Sequence, residues 1–102
     1  MLFLIHHKHT PEYCPGGLEE PDPQFFDKID NQAKKADVNI VEAYLSSSNH
    51  SYWFLIEADS TEAIATFAIP LFRIGEVETL PVQTWQEAKA WATRLGVLEK
   101  AA

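Results

Sequence analysis

Tyr52-Trp53-Phe54-Leu55-Ile56 is the densest apolar run in the chain, and the fold is decided by how it is read. Five bulky residues, preceded by the polar turn Ser46-Ser47-Ser48-Asn49-His50, predict a strand rather than a helix. Alternation puts Tyr52, Phe54 and Ile56 on one face and Trp53 and Leu55 on the other, so both faces of this strand ask for cover. Residues 39–45 read as a second strand, joined to the first through the polar turn as a hairpin.

Working outward, residues 59–62 (Asp-Ser-Thr-Glu) have the pattern of a capping box. Ile64, Phe67, Ala68, Leu71 and Phe72 then recur at helical spacing, which predicts an amphipathic helix. Pro70 predicts a kink or an early end there, with Gly75 closing the segment. Residues 76–82 form a further strand, which Pro81 assigns to a sheet edge or to the strand's end. Thr84-x-x-Glu87 opens a last helix, with Ala88, Trp91, Ala92 and Leu95 on one face before Gly96.

Toward the N-terminus, residues 2–8 are a strand and residues 9–21 a loop carrying Pro11, Pro15, Gly16, Gly17 and Pro21. A connection that long in so short a chain is more often functional than ornamental. Asp22 before Pro23 predicts a helix over residues 23–36, with Phe26, Ile29 and Ala33 facing the core and Phe25 beside them. Glu19-Glu20 with Asp22 reads as a solvated loop and cap.

The order is therefore βαββαβ with an added C-terminal helix, a single α+β domain over residues 1–102. It resembles the ferredoxin-like fold, which implies a four-stranded antiparallel sheet of order 4-1-3-2. The two-faced strand at residues 52–56 further resembles the dimeric α/β-barrel superfamily, which implies a homodimer with sheets packed face to face. The C-terminal helix is the other cover available to the second face. Trp53, Trp85 and Trp91 are expected to fill the core or an interface.

Totals exclude several classes. A net charge of −7, with eight Lys and Arg scattered along the chain, disfavours nucleic acid as a partner. No apolar run reaches the roughly 18 residues a membrane span needs. The opening residues lack the basic region and cleavage site of a signal peptide, so a cytoplasmic protein is expected. A lone cysteine, Cys14, forms no internal disulfide and suits a reducing compartment.

Chemistry is concentrated in His6-His7-Lys8-His9-Thr10-Pro11-Glu12-Tyr13-Cys14 and in His50, which together hold all four histidines and the only cysteine. On a strand, His7 and His9 share a face about 6.5 to 7 Å apart, with His6 and Lys8 opposite. If strands one and three are antiparallel neighbours, His50 stands beside His7 or His9, and Glu76 and Glu78 come near. His7, His9, Cys14 and His50 are thus the candidate ligands of one divalent transition metal: zinc, nickel or copper. Two rivals stand beside this. One is a metal-free enzyme or small-molecule-binding protein using His7 as general base in a cavity between sheet and helices. The other is an interaction module whose sheet face serves assembly alone.

Overall fold

The computed structural model describes residues 1–17 and 22–96. Strand β1 (Leu2–His9) leads through a 3-10 turn at Pro11–Tyr13 toward helix α1 (Phe25–Ala36). The hairpin β2 (Asn39–Ser46) and β3 (Ser51–Glu57) follows, then α2 (Thr61–Phe72), β4 (Gly75–Val82) and α3 (Trp85–Arg94). All pairings are antiparallel and the sheet order is β2-β3-β1-β4, the expected 4-1-3-2, with β4 and its Pro81 on an edge. The acidic pair Glu19-Glu20 lies outside the described residues.

The core lies between one face of the sheet and helices α1 and α2. Phe3 and Ile5 of β1 pair with Ile56 and Phe54 of β3, and all four are buried against Ile29, Ile64, Phe67 and Leu71. Within α1 the stripe is Phe25, Ile29, Ala33 and Ala36, whereas Phe26 is 63% exposed. The two phenylalanines thus exchange the roles expected of them, because the helix begins at Phe25 and its phase is set by Ile29 and Ala33. Asp22 is not the N-cap, a position held by Gln24. Its carboxylate instead accepts from the Gln24 amide at 3.1 Å and from Lys28 Nζ at 2.7 Å, a local turn that uses up the capping oxygen before the helix starts.

In α2 the cap is Ser60, accepting from the Ala63 amide, and this places Ala63 rather than Glu62 at the box's third position. Pro70 does not stop α2, which runs on to Phe72. A proline at 70 leaves the Thr66 carbonyl without its helical donor. Gln32 of α1 supplies the donor, its Nε2 reaching the Thr66 oxygen at 2.7 Å. Gln32→Leu is therefore expected to cost about 1 to 2 kcal/mol. In a Pro70→Ala background, where the backbone N–H is restored, the cost should shrink to less than half. Urea unfolding of the four proteins measures it, and an equal cost in both backgrounds would refute the substitution of side chain for backbone.

The opposite sheet face stays open. Leu2, Leu4 and His6 of β1, Trp53 and Leu55 of β3, and Leu80 of β4 lie on it, and His6 stacks on Trp53 with centroids 5.1 Å apart. Helix α3 does not cover it. Although the Thr84–Glu87 capping box forms as expected, none of the helix's residues is buried, and Trp85, Trp91 and Leu95 are 83%, 51% and 56% exposed. The radius of gyration, 16.8 Å, exceeds the roughly 13 Å of a compact domain this long because α3 projects from the body. No tryptophan is therefore in the core. No described helix is long and apolar enough to cross a membrane.

Candidate metal centre

At the end where β1 leaves the sheet, three backbone devices bring distant side chains together. The β1–β3 register ends with His7 opposite Tyr52 and Lys8 opposite Ser51, and the His9 amide then donates to the His50 carbonyl at 3.1 Å. His50 itself has φ 50°, a left-handed conformation that costs a non-glycine residue energy and that histidine tolerates better than most. The 3-10 turn brings the chain back after β1: the Tyr13 amide donates to the Thr10 carbonyl at 3.0 Å and that of Cys14 to Pro11 at 3.3 Å.

The outcome is a cluster of His9, Cys14 and His50, whose ligand-type atoms all lie within 4.8 Å of one another. His9 is 4% exposed, and its Nε2 is buried without a hydrogen-bond partner among the described residues, as is Nδ1 of His50. Buried polar atoms left unpaired cost stability, so a nitrogen of this kind on each of two clustered histidines favours a further partner. A tetrahedral ion with bonds of about 2.0 to 2.3 Å spaces its ligands roughly 3.3 to 3.8 Å apart. Side-chain rotation of about 1 Å would close the cluster on such an ion.

His7 sits behind this group, outside the set of three. It is wholly buried, and its Nε2 lies 3.0 Å from Nδ1 of His9. Its other nitrogen, Nδ1, has no hydrogen-bond partner. Burial, and after it the neighbouring His9, push the His7 pKa down to about 4. His9 is lowered by burial and then by His50. Both imidazoles are thus neutral near pH 7, the form that binds metal. Tyr52 packs on both rings, with centroids 5.3 Å from His7 and 5.1 Å from His9. Burial and the adjacent Cys14 raise its phenol to about 12, so it stays neutral and contributes no charge.

The two glutamates do not join the cluster. Glu78 pairs with His6 on the open face and Glu76 with Lys8, so the alternation of β4 turns both away from His9. Two contributors escaped the sequence. Tyr52, read only as part of one strand face, walls the cluster, and Gly75 permits it: a Cβ there would collide with the Lys8 carbonyl oxygen and stand 2.9 Å from the His9 Cα. Gly75 therefore opens β4 at a close approach to β1 rather than closing α2, whose C-cap is Arg73.

Fold and site together define a small α+β protein with a four-stranded antiparallel sheet and a His-Cys-His cluster at one sheet end. The chain belongs to the family described as Domain of unknown function (DUF3303), whose model matches residues 1–96. No curated protein matches the chain.

Proposed function

We propose that this protein binds one transition metal ion, zinc, nickel or copper, through His9, Cys14 and His50. The observation that carries the reading is the convergence of the buried His9 ring, whose Nε2 has no partner among the described residues, with a thiol and a second imidazole. Two imidazoles and a thiolate are a donor set for borderline and soft metals, not for magnesium or calcium. Three protein ligands leave a fourth position, where a water can be activated or an oxygen donor polarised.

In this reading His7 is a positioning residue. Coordination through Nε2 requires His9 to carry its proton on Nδ1, which then donates to His7 Nε2 across the 3.0 Å gap. A partner of this kind fixes the tautomer and ring orientation of a ligand histidine. The alternative use of His7, as general base in a metal-free site, is disfavoured by its complete burial and a pKa near 4, which leave it out of a substrate's reach and weakly basic.

Untagged protein should retain close to one equivalent of metal by elemental analysis. With cobalt in its place, Cys14→Ser should abolish the thiolate charge-transfer absorption, and His9→Ala should lose stoichiometric binding. His7→Phe should keep the coordination spectrum while weakening affinity about 10- to 100-fold. Metal-free protein that also refuses added cobalt would end the proposal.

The uncovered sheet face, where Leu4, Trp53, Leu55 and Leu80 lie beside Lys8, Glu57, Glu76 and Glu78, and the exposed Trp85 and Trp91 of α3 further support a homodimer, as the resemblance to the dimeric α/β barrels implies. Four strands about 4.8 Å apart and seven or eight residues long at about 3.3 Å present a face of roughly 500 Å² before side-chain relief. Side-chain relief and the apolar stripe of α3 bring this toward the ~800 Å² per partner of a stable interface. Sedimentation equilibrium should give twice the chain mass, and Leu4→Lys should give the monomer. A wild-type monomer at millimolar concentration rejects the assembly.

A further inference from the structure

Beside the metal cluster lies a cavity of about 420 Å³ between α1 and the β2–β3 hairpin. Its walls include Phe25, Phe26, Ile29, Ala43, Leu45 and Phe54 together with the rings of Tyr44 and Tyr52, and Asp30, exposed at the rim, is the one charged group among the described lining residues. A second hollow, about 380 Å³, contains His9, Cys14 and His50 and shares Phe25, Phe26, Leu45 and Tyr52 with the first. The cluster and the apolar cavity thus lie in adjoining hollows, which together form a depression walled in common by these four side chains.

Its origin is in α1. The core stripe of that helix runs from large Phe25 and Ile29 to small Ala33 and Ala36, side chains that let a helix approach its neighbours more closely at the C-terminal end than at the N-terminal end. It packs mainly on α2, not on β2. As a result Ala43 and Leu45, whose register partners Phe54 and Tyr52 lie on the core side, remain exposed. Phe26 and Leu45, 63% and 48% exposed, line the same opening. Large apolar side chains left in water around a concave, preformed space of this size are the makings of a small-molecule site.

We propose that this depression binds a small molecule with an apolar body, one ring or a short branched chain, and a single oxygen-bearing head group. The body fills the cavity between α1 and the β2–β3 hairpin. The head reaches the fourth position at the His9–Cys14–His50 cluster. Only the head-group half rests on the metal reading; the body's place depends on the cavity alone. The apolar walls exclude a sugar or nucleotide, whose hydroxyls and phosphates would be left unpaired there.

The test is a titration of 15N-labelled, untagged protein with 3-phenylpropionate, metal-free and zinc-loaded, followed by amide shifts, with zinc content measured separately. In the zinc-loaded protein, shifts are expected at Phe26, Ala43 and Leu45 and also at Cys14 and His50. Without zinc they should be confined to the first three, with affinity at least tenfold weaker. Ala43→Trp, which fills the cavity, and Phe26→Glu, which charges its mouth, should each abolish the response while zinc content is unchanged. If neither form shows shifts at Ala43 and Leu45, or if both variants bind the probe as the parent does, the inference is overturned. A protein that takes up no zinc defeats the metal reading alone, and the metal-free titration still decides the cavity. Cavity shifts in the zinc-loaded protein without any response at Cys14 and His50, and without a gain in affinity, overturn the placement of the head group.

Discussion

Gly75→Ala is expected to destabilise the protein by about 3 kcal/mol or more, the range reserved for forced backbone movement. Because the added Cβ collides with the Lys8 carbonyl oxygen, and that atom is main chain, no rotamer change relieves it. Either β4 or the end of β1 must move, and β1 at this point carries His9. Metal affinity should therefore fall together with stability, although Gly75 is no ligand. Urea denaturation measures the first effect and competition with a chromophoric chelator the second. A variant with wild-type stability would show that the approach of β4 to β1 is not tight. The same strand's exposed Thr79→Ala, made in parallel, should change stability by no more than about 0.5 kcal/mol.

The metal-free protein should lose stability as the pH falls from about 6.5 toward 4, by up to about 3 kcal/mol from His7 alone. The sign follows from the direction of the shift. His7 titrates at about 4 when folded against an ordinary 6.5, so between these values the unfolded chain binds the proton and the folded one does not. That contribution is complete above pH 6.5 and is lost as the pH falls through the window. His9, lowered by burial and by His50, acts in the same direction. His6 and His9 are the titrating groups whose charge reaches His7, and both oppose its protonation. Urea midpoints from pH 7.5 to 4.5 for the parent and for His7→Phe isolate the term, since the carboxylates titrate alike in both. Parallel curves for the two proteins would show that His7 is protonated in the fold without penalty.

Much of the site was legible before any coordinates. His7 and His9 fall on one face by strand alternation, and βαββαβ order makes strands one and three neighbours, which carries His50 to His9 across some forty residues of chain. The division of labour between His7 and His9 was not legible. Both are identical side chains at equivalent positions, and only the approach of Cys14 and His50 to His9 places one in the cluster and leaves the other behind it. The Gln32–Thr66 bond was equally hidden: Pro70 announces an unpaired carbonyl, but which element answers it depends on how α1 crosses α2. Phe25 and Phe26 differ by a single step of helical phase and both lie within a turn of Ile29, so only the packing of α1 on the core decides between them.

What the residues determined by themselves is the type and order of the elements and the pairing of their strands, because side-chain period, caps and turn residues act over a few neighbours and topology then admits few arrangements. Tertiary structure alone decided that α3 leaves the sheet face uncovered, that Gly75 serves a close approach, and that a cavity opens between α1 and the β2–β3 hairpin. Each of these depends on distances between segments far apart in the chain, which packing volumes and steric contact set and which local pattern does not encode.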